Sequence, residues 1–135
     1  MKYKIIAASL FLFASSSYAY AGDFRVIDGD TIAILKNKPD LSNLSLSIRM
    51  LDIDAPEIKG KCDLEKAKAQ EAKLFLEGLV NNSKNKITYK IDGWDKYGGR
   101  VLGNVFVNGK NLSELMIAKG LARKYHGEAK SSWCN

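Results

Sequence analysis

The sequence predicts an α+β, mainly β domain, a five-stranded OB-fold barrel carrying two helices. Three observations lead there. Five short β-rich segments are separated by turn residues. A long stretch rich in Ala, Lys, Glu and Leu interrupts them between the third and the fourth. A chain of 135 residues with 46% hydrophobic content is long enough for one core and too short for two.

The chain opens with Lys2 and Lys4 ahead of an apolar run over 5–13, followed by small and polar residues over 15–21. This is the pattern of a secretory signal peptide over residues 1–21. The apolar run is too short to span the roughly 30 Å hydrocarbon layer as a helix. Cleavage after Ala21 or after Ala19 satisfies the small-residue rule, and the first, which we prefer, leaves 22–135 as the mature domain. A secreted protein, periplasmic or extracellular, is the expectation, and a monomer. No cysteine follows either cleavage point, so nothing suggests a lipid anchor. Without Lys2 and Lys4, 19 of the 21 basic residues remain against 15 acidic ones, which lowers the net charge from +6 to +4. That balance gives a modest push toward a polyanionic partner.

Segments 24–27 and 31–35 read as strands joined by the hairpin turn Asp28-Gly29-Asp30. After a polar stretch comes 44–51, where Leu44, Leu46, Ile48 and Met50 alternate with Ser45, Ser47 and Arg49, so that Arg49 faces away from the core side. Residues 63–80 read as a helix with Asp63 as N-cap and Leu64, Ala67, Ala72, Phe75 and Leu79 on its apolar side. Strands over 86–91 and 101–107 follow, then an Asn108-Gly109 turn. Asn111 and Glu114 have capping-box spacing before the stripe Leu112, Leu115, Met116, and Gly120 stands at the C-terminal stop. Internal repeats and low-complexity tracts are absent from the sequence.

Four carboxylates, Asp28, Asp30, Asp54 and Glu57, lie in the hairpin turn and just beyond the third strand. Each alone is an ordinary turn or strand-end acid. They become a site only if the two loops meet. Hard oxygen donors suit Ca²⁺ or Mg²⁺, no His or Cys is placed for zinc, and the EF-hand spacing is missing. Arg49 and Arg100 are two of only four arginines among the 21 basic residues. A guanidinium fork grips a phosphate bidentately, although Arg49 reads equally well as a cross-strand salt bridge. His126, the single histidine, has no evident acid or nucleophile partner and reads as a surface residue. Trp94 and Trp133 read either as base-stacking rings or as core and rim packing. Cys62 and Cys134, in an exported chain, are expected to form a disulfide that ties the chain after the second helix back to the first.

Residues 26–32 (Val-Ile-Asp-Gly-Asp-Thr-Ile), 48–57 (Ile-Arg-Met-Leu-Asp-Ile-Asp-Ala-Pro-Glu), 95–100 (Asp-Lys-Tyr-Gly-Gly-Arg) and 111–122 resemble, in order and approximate separation, the signature blocks of the staphylococcal nuclease (thermonuclease) family. The resemblance implies an SNase-like OB-fold nuclease that is calcium-dependent. It implies Asp30 and Asp54 as Ca²⁺ ligands with the backbone carbonyl of Ala55, and Asp28 as an outer-shell acid. By the same resemblance Glu57 would serve the attacking water, Arg49 and Arg100 would meet the phosphate, and Lys96, Tyr97 and Tyr125 would line the nucleotide pocket. The implied reaction is endonucleolytic cleavage of DNA and RNA leaving 3′-phosphate ends. Metal, carboxylate and guanidinium each suit that chemistry.

The sequence departs from the family pattern at four places. An extra glycine precedes Arg100, so a bulge at Gly98-Gly99 is expected to reposition the arginine. Ala55 stands where a threonine is familiar, the stretch between Leu35 and Leu44 looks longer, and the family's long terminal helix is missing before Asn135. The rival readings are a non-catalytic OB-fold module that binds nucleic acid and an interaction domain of the cell envelope. The presence of all four acids and both arginines favours the nuclease.

Overall fold

The computed structural model describes residues 19–20, 23–35, 45–96 and 98–135. Expectations that fall on 1–18, 21–22, 36–44 and Tyr97, among them most of the signal peptide and one nucleotide-pocket residue, lie outside the described residues. The elements run β1 (Ala19–Tyr20), β2 (Asp23–Asp28), β3 (Thr31–Leu35), β4 (Ser45–Met50), β5 (Ile53–Asp54), α1 (Asp63–Val80), β6 (Ile87–Trp94), β7 (Arg100–Val107), β8 (Lys110–Asn111), α2 (Leu112–Ala118) and β9 (Arg123–Lys124).

Five long strands carry the sheet in the order β6-β7-β4-β3-β2, with β1 against β6 and β8 against β7. Hairpins make β2–β3, β3–β4 and β6–β7 antiparallel, whereas β4 and β7 are parallel, with Ile48 opposite Val101. A separate ladder pairs Asp54 of β5 with Arg123 of β9. This is the partly open OB-type barrel with two helices, α1 inserted between β4–β5 and β6. Along β7 burial alternates strictly, Val101, Gly103, Val105 and Val107 facing inward. Ile32, Ile48, Met50, Leu76, Leu112 and Met116 are fully buried at the centre, each such side chain contributing about 1.5–3 kcal/mol.

Helix α1 has the expected bounds, and Ala72, Phe75 and Leu79 pack on the core as expected, but its first turns face otherwise. Glu65, Ala69, Ala72 and Leu76 are buried at i, i+4, i+7 and i+11, while Leu64 is 47% exposed and Ala67 faces solvent. Small alanines let the helix approach closely, so the closest-packed row is not the most apolar one. The N-cap is Cys62, extended at φ −151°, whose Sγ accepts from the Glu65 N–H at 3.4 Å; Asp63 is the first helical residue, where its charge still faces the positive end of the dipole. In α2, Asn111 Oδ1 accepts from the Ser113 N–H at 2.8 Å, so the cap bond goes to Ser113. Ser113 Oγ in turn donates to the Leu51 carbonyl at 2.9 Å, fastening α2 to the corner after β4. The helix stops in a Schellman motif, Leu121 N–H to the Met116 carbonyl and Gly120 N–H to that of Ile117, with Gly120 at φ +69°. Among the described residues no helix is long and apolar enough to cross a membrane.

Candidate active site

The site begins in the β2–β3 turn. Asp28 Oδ1 accepts from the Asp30 N–H at 3.1 Å, an Asx turn, and Thr31 Oγ1 donates to Asp30 Oδ1 at 3.0 Å. Between the two acids, Gly29 lies so near Ala55 and Ala72 that no side chain fits, which brings Asp30 against the segment after β5. Asp30 Oδ2 faces the Ala55 N–H at 3.4 Å and Arg49 Nη2 at 3.5 Å. The two acidic loops therefore meet. Burial, and then the charge of Asp28, push the Asp30 carboxyl up to about 6, with Arg49 acting in the opposite direction.

Arg49 braces the corner between β4 and β5, where Asp52 takes φ +67°. Its Nη1 donates to the Met50 carbonyl at 2.7 Å and its Nη2 to that of Ile53 at 2.8 Å. The side chain, only 13% exposed, turns toward the acids rather than to open solvent. Both readings of this residue thus describe it, since it is an ion-pair partner and also lines the cleft.

Asp54 is buried and held at both oxygens. Lys130 Nζ lies 3.1 Å from Oδ1, and the indole Nε1 of Trp133 donates to Oδ2 at 3.1 Å. Trp133 is covered by the Arg123 guanidinium, 3.8 Å from its ring centroid, and Arg123 also donates to the Ser132 carbonyl at 2.8 Å. Next along the chain, Cys134 is disulfide-bonded to Cys62, the Cα atoms 5.9 Å apart. The segment after β9 is thereby joined to the loop that carries Glu57.

That loop is shaped by Glu65, whose carboxylate accepts from the Glu57 N–H and the Lys61 N–H, each at 3.0 Å. Those two bonds hold the Glu65 carboxyl below the ordinary carboxylate range. The Glu57 carboxyl is raised by partial burial and then by the charge of Asp30, with Asp54 adding to the rise and Lys130 opposing it. An acid of raised pKa beside two buried carboxylates is suited to taking a proton from water.

Arg100 pairs through Nε with Asp95 Oδ2 across the β6–β7 turn. Gly98 and Gly99, at φ +69° and +70°, form the turn itself. The extra glycine is therefore absorbed at the tip of the hairpin. The expected bulge is not at these glycines, which adopt the left-handed turn conformation without steric cost; the register shift of this strand pair lies between Ile91 and Gly93. Arg100 and Arg49 line one cleft of about 560 Å³, together with Trp94, Lys96, Tyr125 and Lys130. A second cleft of about 220 Å³ is lined by Asp54, Ala55, Glu57, Lys61, Lys130 and Trp133. Lys130 borders both.

Tyr125 is held by its N–H on the Asp52 carbonyl at 2.9 Å, its ring 5.3 Å from Lys130 Nζ. Trp94 is 74% exposed at the mouth of the larger cleft, whereas Trp133 is buried. His126 is exposed but has an acid neighbour that the sequence does not reveal, Asp52 Oδ1 at 3.4 Å from Nδ1. Sequence reasoning also missed Glu65 and Lys130. For Glu65 the signal existed: it stands three residues after the cap Cys62, the position from which a glutamate reaches back to free N–H groups. For Lys130 no local signal exists.

The profile of a family described as "Staphylococcal nuclease homologue" matches residues 47–133. Among curated proteins, the chain is 38% identical over 101 residues to "Endonuclease YncB" of Bacillus subtilis, which covers 73% of this chain and 44% of that protein. It is 33% identical over 138 residues to "Protein ParB" of Escherichia coli, covering 91% and 70%, and 31% identical over 99 residues to "Thermonuclease" of Staphylococcus hyicus, covering 73% and 55%. The chain thus spans less than half the length of YncB.

Proposed function

The chain belongs to the staphylococcal nuclease family, and from that premise we propose that it is an exported, calcium-dependent endonuclease that hydrolyses phosphodiester bonds of DNA and RNA, leaving 3′-phosphate ends. The observation that carries the reading is that Asp30 meets the segment carrying Asp54 and Glu57 at the Ala55 N–H and faces Arg49, which with Arg100 lines the larger cleft.

The donor set suits a hard divalent cation. Asp30 and Asp54 are buried carboxylates, the first with its pKa pushed up to about 6, and the second already faces an ammonium group. Asp30, Asp54 and the Ala55 carbonyl would hold Ca²⁺, with Asp28 behind Asp30 as an outer-shell acid. When bound, the ion polarises the phosphoryl oxygen and offsets charge on the phosphate. Glu57 accepts the proton of the attacking water. Arg49 and Arg100 meet the negative charge that grows as the fifth bond to phosphorus forms, and Lys96, Tyr97 and Tyr125 receive the nucleotide.

Export is supported by the leader-like start of the chain and by the Cys62–Cys134 pair, which suits an oxidising compartment. Cleavage of the leader after Ala21 or Ala19, a monomeric state and freedom from a membrane anchor belong to the same proposal.

The test is incubation of the purified protein with plasmid DNA and with RNA in Ca²⁺, in chelator, and in Mg²⁺ after calcium is chelated. Cleavage in Ca²⁺ only is expected, because Mg²⁺ demands tighter octahedral geometry and keeps its waters. Full hydrolysis in Mg²⁺ contradicts calcium dependence. Binding without cleavage under every condition returns the non-catalytic module. Product ends that a 5′-kinase labels directly, and that a polymerase extends only after phosphatase treatment, identify the 3′-phosphate.

A further inference from the structure

We propose that segment 123–134 is part of the metal centre: Trp133 is a positioning residue that fixes Asp54 through its indole N–H, and Lys130 is a resident counter-ion that a divalent cation must displace from the same carboxylate. The inference rests on the calcium reading above and assigns it two residues outside the resemblance.

The two groups on Asp54 differ in kind. Trp133 is a neutral donor, 7% exposed. It is clamped from three sides, by the Arg123 guanidinium over its ring, by the bond from Arg123 to the Ser132 carbonyl, and by the disulfide at the next residue but one from Ser132. A neutral, rigid donor on Oδ2 orients the carboxylate and leaves its charge intact. Such outer hydrogen bonds fix a ligand and are worth about 10–100-fold in metal affinity.

Lys130 is the opposite case. Its side chain is 48% exposed, its stem is long and flexible, and its contacts are Asp54 Oδ1 at 3.1 Å and the Tyr125 ring at 5.3 Å. A unit positive charge therefore stands on the oxygen that the indole leaves free. Placing a divalent cation there requires the ammonium to move, and its departure costs the ion pair. Metal affinity is then set by two residues with opposite signs, one helping and one competing.

Calcium titration calorimetry without nucleic acid decides the matter, since it reads affinity rather than turnover. Trp133→Phe keeps an aromatic ring under Arg123 and removes the N–H together with part of the indole's bulk. It should weaken Ca²⁺ about 10–100-fold, with circular dichroism unchanged. Lys130→Met should tighten Ca²⁺ by about fivefold, the upper range for a half-exposed ion pair, and Lys130→Arg should restore the wild-type value. Wild-type protein with its cysteines reduced and alkylated should shift in the direction of Trp133→Phe. Should Trp133→Phe lose its fold, Lys130→Met alone decides, because that side chain is half exposed. Unchanged affinity in a folded Trp133→Phe, or equal or weaker affinity in Lys130→Met, overturns the inference and leaves the calcium reading standing. A wild-type protein that binds no Ca²⁺ overturns both.

Discussion

Gly29 and Ala72 meet where the β2–β3 turn lies on helix α1, so closely that a methyl group on Gly29 falls 3.0 Å from the Ala72 Cβ and 2.9 Å from that of Ala55. The turn that presents Asp30 is held in place by this absence of a side chain. Gly29→Ala should therefore push the turn away from the helix, cost about 1–3 kcal/mol as an overpacked contact, and lower nuclease activity through Asp30. Adding Ala72→Gly should recover part of both losses. Thermal melts and plasmid cleavage of the single and double variants check this, and a Gly29→Ala protein as stable and active as wild type contradicts it.

Glu57 lies on a loop whose backbone is anchored by Glu65, not by its own carboxylate. Glu57→Ala should thus fold normally, bind DNA normally, and lose roughly 10² to 10⁴ in kcat, the usual worth of a general base. Single-turnover cleavage beside a filter-binding assay separates the two quantities. Retained turnover removes Glu57 from the scheme.

Three of the four arginines divide by surroundings. Arg49 and Arg100 line the larger cleft, whereas Arg123 covers Trp133. Arg49→Lys and Arg100→Lys keep charge but lose the fork, and each should cost a large part of the roughly 10³ to 10⁵ in rate that a phosphate-facing arginine supplies. Arg49→Lys should also lower the melting temperature, because its guanidinium spans the Met50 and Ile53 carbonyls. Arg123→Lys should change turnover much less. A crippled Arg123→Lys beside a near-normal Arg100→Lys reverses the assignment.

Stability in chelator should fall as pH rises through the window that Asp30 defines. Its carboxyl is raised from 3.8 to about 6, so between those values the folded protein holds a proton that the unfolded chain has released. The unfolded state binds fewer protons there, and the slope of stability against pH is negative. Glu57, also raised, acts in the same direction. Glu65 is lowered; its contribution is present above the ordinary carboxylate range and fades only at more acidic pH. The melting temperature of wild type minus that of Asp30→Asn should therefore shrink from about pH 4 to about pH 6. A difference that grows over this range contradicts the assignment.

The barrel was legible because its signals are local. Alternation over 44–51, the Asp28-Gly29-Asp30 turn, and the composition of 63–80 each lie within a few residues, and the strands and the helix follow them. What the sequence misplaced concerns how elements face one another. Helix α1 buries Glu65 and Ala69 rather than Leu64 and Ala67, and the buried Glu65 carboxylate accepts from the Glu57 and Lys61 N–H groups. The acids and both arginines were singled out from local motifs. Lys130 and the bond from Trp133 to Asp54 were not, because a hydrogen bond between positions 79 apart leaves no periodicity to read.

That separation also orders events in time. A ribosome adding about 5–20 residues per second makes Asp54 roughly 4 to 16 s before it makes the indole that holds it. During that interval the hairpins carrying Asp30 and Arg49 have their local partners, while Asp54 has neither of its two donors and Cys62 has no mate. The Asp54 corner is therefore finished only when segment 123–134 has been made and has folded back onto it.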